Sequence, residues 1–210
     1  MTDSAPSGPS RSIEIEKKFD VDEGTQVPDW SAVAGVSAVS AGEARHLDAL
    51  YYDTADAALG RQGVALRRRT GGHDAGWHIK GPLIDGGRVE LGWPLGESEQ
   101  IPDEVLAAVA QWTAEPLSPL ARIVNDRTAY DLLDEDGGVL AEFVDDRVST
   151  TDLRGGAQRE WSEWEVELGA AAPVDRAERD AFFDGVARVA VAAGARDASS
   201  ASKLARALGL

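Results

Sequence analysis

The sequence predicts an antiparallel α+β fold whose strands close into a barrel around a charged, hydrated interior, with helices over its apolar outer face. Three observations carry this expectation. Strand-like segments outnumber helical ones and follow one another through short Gly/Asp turns, which suits hairpins and not parallel βαβ units. Nearly every strand alternates charged with apolar residues. The charges are also segregated by sign, with Arg67, Arg69 and Lys80 on neighbouring strands and Glu163, Glu165 and Glu167 stacked on one. Like charges two apart on a strand face repel unless opposite charge lies between them. A sandwich with solvated outer faces alternates in the same way, but such faces mix in Thr, Ser, Gln and Lys, which are nearly missing here.

The elements follow in order. The opening "MTDSAPSGPSRS" lacks the apolar run of a secretory signal, so residues 1–11 are expected as a disordered leader before one domain over 12–210. "IEIEKKF" (13–19) is a strand with Glu14, Glu16 and Lys18 on one face and Ile13, Ile15 and Phe19 on the other. "PDWSAVAG" (28–35) suits a short helix, and "EARHLDALYYDT" (43–54) holds a strand ending near Tyr51–Asp53. "ADAALGRQG" is a helical turn closed by Gly63. Three strands follow, "VALRRRT", "GWHIKG" and "GRVELGWPL", separated by Gly71–Gly72 and Asp85-Gly86-Gly87. "IPDEVLAAVAQW" (101–112) is a helix with Pro102 and two acids in its first turn. "LARIVNDRTAYDLLD" and "GVLAEFVDDRVST" form a hairpin across Glu135–Gly138, and "REWSEWEVEL" is the last long strand. The tail is one helix over "VDRAERDAFFDGVARVAVAAGA" and a second opened by "ASSASKLARAL", with serines available as caps.

Composition excludes several classes. The chain has 210 residues, enough for a sizeable core, and no cysteine, which rules out disulfides, thiol chemistry and cysteine–zinc sites. No stretch approaches the ~20 apolar residues of a membrane span, so a cytoplasmic protein is expected. A formal net charge of −16 argues against a nucleic-acid or anionic-membrane binder. A local anion site survives that total if its basic groups are concentrated and cations neutralise the rest.

The charged faces supply such a site. They carry Arg67 and Arg69, His78 and Lys80, Arg88 and Glu90, Arg127, Glu142 and Asp146, and Glu163, Glu165 and Glu167. Guanidinium forks grip phosphate oxygens bidentately, so the basic set suits a polyphosphate. Carboxylates repel that ligand unless they hold divalent cations, and Mg²⁺ and Mn²⁺ prefer oxygen donors. Metal on one side and arginines on the other is an arrangement for phosphoryl transfer.

These residues resemble the CYTH domain, or triphosphate tunnel metalloenzyme, family. "EIEKK" matches its E-x-E-x-K signature. The segment from "YYDT" to "HIKGP", then "GGRVEL", "NDRTAY", "LAEFVDDRV", "EWEVEL" and "SKLARAL", follow in the family's order from about residue 12 to 208. The resemblance implies an eight-stranded antiparallel tunnel that binds a triphosphate with Mg²⁺ or Mn²⁺. It implies that Arg67, Arg69, Lys80, Arg127 and Lys203 hold phosphates, with Lys18 beside them to position water. Arg88 is added from periodicity. Glu14, Glu16, Asp146 and two of Glu163, Glu165 and Glu167 would bind metal, with Glu90 and Glu142 as further acids of these blocks. The chain also resembles bacterial proteins in which this domain precedes a helical CHAD domain associated with polyphosphate, so it is expected to be a stand-alone member or an N-terminal half.

Inorganic triphosphate is the expected substrate, cleaved to pyrophosphate and phosphate. Adenylate cyclase, thiamine triphosphatase and a non-catalytic polyphosphate- or nucleotide-binding module are the alternatives. His46, His73 and His78 lack metal-ligand spacing, with His78 set apart by sharing Lys80's face. Tyr51, Tyr52 and Asp53 are expected to fix a turn, "TGGHDAG" to be a hairpin turn lacking P-loop features, and Trp164 to lie under a helix.

Overall fold

The computed structural model describes residues 8–210, so residues 1–7 of the expected leader lie outside the described residues. The sheet begins with β1 (Ser10–Glu14), and Ser10 and Arg11 already pair with Gly92 and Leu91 of β7 (Gly87–Pro94). The remaining long strands are β2 (Glu16–Val21), β4 (Glu43–Asp53), β5 (Ala65–Thr70), β6 (Gly76–Ile84), β8 (Ser118–Leu133), β9 (Val139–Asp152) and β10 (Gln158–Leu168). Two short strands, β3 (Ala38–Val39) and β11 (Arg196–Asp197), complete the set.

Among the described residues, eleven antiparallel strands form one sheet along the path β1-β7-β6-β5-β4-β8-β9-β10-β2-β11, with β3 beside β8. This open path replaces the expected eight strands closed into a barrel. The physical reason is a break at Ile15, which divides the expected strand over 13–19. Its first half pairs with β7 and its second with β10, so opposite ends of the path are consecutive in sequence. Leu168 N donates to Ile15 O at 2.9 Å across the break. The sheet therefore curls until both ends face one cavity.

Tight turns hold the hairpins. Gly71 and Gly72 have φ of 77° and 74°, and a Cβ on Gly71 would stand 1.9 Å from the His46 carbonyl, so only glycine fits. Asp53 accepts from the backbone N–H of Thr54, Leu59 and Gly60 at 2.7–2.9 Å, which fixes the turn after β4.

Helices cover the apolar outer face. Helix α2 (Arg176–Ala192) lays Phe182, Val186 and Ala190 on Phe19, Phe143 and Trp164. Helix α1 (Asp103–Val109), shorter than the expected 101–112, lays Val105 and Val109 on Trp77, Ile79 and Trp93. Each such large side chain contributes about 1.5–3 kcal/mol by leaving water. The helix expected over 28–35 is only a 3₁₀ turn, Trp30–Ala32, whose indole packs 4.7 Å from the Phe143 ring. Helix α3 (Lys203–Leu208) starts at Ser202, whose Oγ accepts from Ala205 N. Its Leu204 and Ala207 pack against Ala49, Ile123 and Val148, so the sheet's concave side is apolar where α3 lies and charged elsewhere. The expected charged interior is corrected to that extent. No helix among the described residues is long and apolar enough to cross a membrane.

Candidate active site

Period-two alternation aims one face of every long strand into a cavity of about 570 Å³. Strands β1 and β2 bring Glu14, Glu16 and Lys18, and β5 brings Arg67 and Arg69. From β6 and β7 come His78, Lys80, Arg88 and Glu90. Strands β8, β9 and β10 add Arg127, Glu142, Glu165 and Glu167, and α3 adds Lys203. Asp146 and Glu163, also predicted, do not line the cavity. They are buried behind it, where Lys203 Nζ lies 3.0 Å from Asp146 Oδ2, 2.5 Å from Glu163 Oε1 and 2.7 Å from Glu165 Oε1.

The basic wall is unevenly matched with counter-charge: Arg127 donates through Nε and Nη2 to both oxygens of Asp146 at 2.7 Å, while Arg69 is crowded by Arg67. Arg67 and Arg69 are both buried on β5, and Arg127 faces them from β8. Arg67 Nη2 lies 3.4 Å from Glu90 Oε1, and the guanidinium also donates to the Tyr51 oxygen. Burial disfavours the Tyr51 phenolate, yet the Arg67 and Lys80 charges outweigh it and pull the phenol below its ordinary value. Arg69 bonds Asp74 at the rim. Burial and the adjacent Arg67 lower its pKa to about 9. A bound anion would relieve that crowding.

The acidic side shows the converse. Burial pushes Glu14 up to about 8, and the proton it keeps bonds to Glu90. Burial also disfavours the Glu90 carboxylate, but bonds from His78 and Glu14 with the Arg67 and Lys80 charges hold it well below the usual range. Burial raises Glu167, with Glu16 and Glu165 adding to it. Glu16, Glu167 and Glu142 stand in one row across β2, β10 and β9, paired in register. Negative charge thus accumulates along this side.

Lys203 and Glu165 are different in kind. Burial opposes both charges, but Lys18, Lys203 and Arg127 converge on Glu165 and hold it well below its ordinary value. Lys203 is raised in turn by Glu165, Asp146 and Glu163. Burial likewise opposes the Lys18 ammonium, and Glu165 with Glu16 overcomes it.

Two groups of acids offer oxygens that a divalent cation could use. Asp146, Glu163 and Glu165 offer oxygens within 4.8 Å of one another, but the Lys203 ammonium already sits among them. The row formed by Glu16, Glu167 and Glu142, with Glu14 beside it, offers hard oxygen donors and the raised acids a cation would relieve. Their donor chemistry suits a hard divalent cation, which would share Glu14, Glu16 and Glu142 with the Lys80, Lys18 and Arg45 charges that pair with them here.

Sequence reasoning missed Arg45, Tyr51 and Asn125, all of which line the cavity. Arg45 Nη1 donates to Glu142 Oε2 at 2.9 Å and Nη2 to Glu43 Oε2 at 2.7 Å. Its strand face continues through Leu47 and Ala49, which makes it look like core, although the period-two count from Arg45 to Tyr51 carries the signal. His78, set apart in the sequence, is buried between Glu90 and the Asp74 carbonyl, while His46 pairs with Asp126 on the exposed surface.

A model of the CYTH domain matches residues 12–188. The Uncharacterized protein Rv2226 of Mycobacterium tuberculosis (strain H37Rv) is 38% identical over 213 residues, covering 96% of this chain and 41% of that protein. The chain thus spans about two fifths of the length of the curated relatives it matches. Among solved structures, a Bacillus halodurans protein described as a candidate adenylate cyclase superposes with a TM-score of 0.64 at 19% identity, covering 93% of this chain and 97% of its own. HpAC1 of Hippeastrum, a candidate adenylyl cyclase described with a dominant triphosphatase activity, gives 0.54 at 16%, covering 94% and 95%. These two likenesses concern the fold. With the family model matched over residues 12–188, the chain belongs to the CYTH domain family.

Proposed function

We propose that the chain hydrolyses a triphosphate with the help of a divalent cation, and that the substrate is inorganic triphosphate, released as pyrophosphate and phosphate. The observation that carries this reading is the polarised cavity. Arg69, crowded by the buried Arg67, stands on one side and the raised Glu14 and Glu167 on the other, and a metal–polyphosphate pair satisfies both.

In this reading Arg67, Arg69, Arg127, Lys80 and Lys203 hold phosphate oxygens, with Arg88 at the same wall. Glu14, Glu16 and Glu167, with Glu142 beside them, would hold the cation; when bound, it neutralises phosphate charge and orients water. Glu165 links both sides through Lys18 and Arg127. Glu163 is turned toward Lys203 and Trp161, and Glu165 toward Lys18, Lys203 and Arg127, which leaves Glu167 as the late glutamate of the cation set. Lys18 keeps its proton, so it donates to the attacking water and does not deprotonate it. Water attacks the terminal phosphorus, the anhydride bond breaks, pyrophosphate leaves, and the water's proton passes to a phosphate oxygen.

The lining supports an all-phosphate ligand. Its aromatic planes are Tyr51, His73 and His78; Tyr51 is buried against Arg67 and His78 is held by Glu90. Neither of these two is available to stack on a base or thiazolium ring, which leaves His73, exposed and bonded to Glu43. The likeness to proteins described as candidate adenylate cyclases favours a second reading, in which ATP gives cyclic AMP and pyrophosphate. Phosphate release and product chromatography on inorganic triphosphate, thiamine triphosphate and ATP, each with Mg²⁺ or Mn²⁺, separate the readings. Cyclic AMP identifies the cyclase, and tight triphosphate binding without turnover identifies a binding module.

A further inference from the structure

We propose that Trp161 and Arg206 are positioning residues that hold Lys203 in the cavity, making α3 a latch on the phosphate-binding site. The inference rests on the triphosphate reading above and assigns roles to two residues outside the cavity lining.

Helix α3 has only six residues, too few to persist without tertiary anchors. Lys203 and Arg206 are three apart, so they lie on neighbouring positions of one helix face. From there they close a ring of contacts. Lys203 Nζ lies 2.5 Å from Glu163 Oε1, and the other oxygen of that carboxylate accepts from Trp161 Nε1. The Arg206 guanidinium lies over the same indole, 4.6 Å from its centroid, and Arg206 Nη1 lies 2.5 Å from Asp20 Oδ1 of β2. The indole thus does two jobs. Its N–H fixes the rotamer of the carboxylate that receives Lys203, and its face seats the cation that ties α3 to the sheet. Arg159 Nη1 adds a bond to Ala207 O at 2.6 Å at the far end of the helix.

The ring separates anchoring from contact. Lys203 reaches the cavity, whereas Arg206 stays outside with 26% of its side chain exposed and Asp20 15%. Removing Arg206 therefore strands no deeply buried charge, and the variant is expected to fold. What it loses is the residence of Lys203 at Glu163 and Glu165.

The test uses the intact protein with inorganic triphosphate and Mg²⁺, reading calorimetric affinity, KM and kcat for Arg206→Met, Arg206→Lys, Trp161→Phe and Lys203→Met. Arg206→Met and Trp161→Phe are each expected to raise Kd and KM about tenfold with kcat changed by less than about twofold. Arg206→Lys is expected to regain most of that loss. On a Lys203→Met background, Arg206→Met is expected to have almost no further effect, a non-additivity that general loosening of the fold does not produce. Unchanged Kd and KM in Arg206→Met, or a full loss on the Lys203→Met background, overturns the latch while leaving the substrate reading in place. A wild-type protein that does not bind inorganic triphosphate overturns that reading and the latch with it.

Discussion

Lys80 Nζ lies 2.6 Å from Glu14 Oε2, joining β6 to β1 across 66 residues of sequence. The same ammonium lies 3.1 Å from Glu90 Oε2. One lysine therefore serves two carboxyl groups that also share a proton, and Glu14 stays raised to about 8 despite its ion pair. A cation bound beside Glu14 would favour its ionised form.

A pH dependence follows. In the unfolded chain Glu14 titrates near the ordinary carboxylate value, and in the folded, metal-free protein near 8, so between those limits the native state binds the extra proton. Metal-free stability from this group is present at low pH and lost as pH rises through that window. The raised Glu163 and Glu167 act in the same direction, the His78 imidazole, lowered by burial, acts against them at the acid end of the window, and the depressed Glu90 and Glu165 titrate below it. With EDTA, Tm is expected to be lower at about pH 8 than at about pH 5.5, and the gain in Tm from Mn²⁺ to be larger at the higher pH. A Mn²⁺ effect equal at both values removes Glu14 from the metal site.

Arg69→Ala tests the basic wall. Losing one charge-assisted contact is expected to weaken inorganic triphosphate binding by about 2 kcal/mol, roughly thirtyfold. Because Arg69 is crowded by Arg67, ligand-free Tm is expected to stay level or rise. Calorimetry and a melt on the same sample check both, and unaltered affinity takes Arg69 out of the site.

The two glutamate registers predict different losses. Glu16→Ala and Glu167→Gln are expected to abolish metal-dependent turnover with far-UV circular dichroism unchanged, because both stand in the row that faces the cavity. Glu163→Gln is expected to act on triphosphate affinity through Lys203, with Mn²⁺ affinity retained. Loss of Mn²⁺ binding in Glu163→Gln, with retention in Glu167→Gln, reverses the register.

Much of this site was legible because inward charges repeat at period two, and a carboxylate beside a guanidinium on successive strands leaves a mark that hydropathy alone does not. Trp164 was placed under a helix on the same ground, and it lies there against Phe143, with its indole N–H donating to Asp145. Other features depended on tertiary context. The break at Ile15 leaves the alternation intact, so the strand reads as continuous while its halves pair with different neighbours. Arg45 hid among apolar residues of its own face. The roles of Asp146 and Glu163 depended on where helix α3 delivers Lys203, which no local pattern records.

Trp164→Ala tests the fold apart from the chemistry. The indole is fully buried beneath α2, and its removal is expected to cost about 3–5 kcal/mol. Urea unfolding checks it; a cost below about 1 kcal/mol would mean α2 is not docked on that ring.

The most direct measurement is phosphate release from inorganic triphosphate by the wild-type protein, with Mg²⁺ or Mn²⁺ and with EDTA. Turnover is expected with either ion, above that on ATP or thiamine triphosphate, and is expected to vanish in EDTA and in Glu16→Ala. Hydrolysis that persists in EDTA, or activity confined to ATP with cyclic AMP as product, contradicts a metal-assisted inorganic triphosphatase.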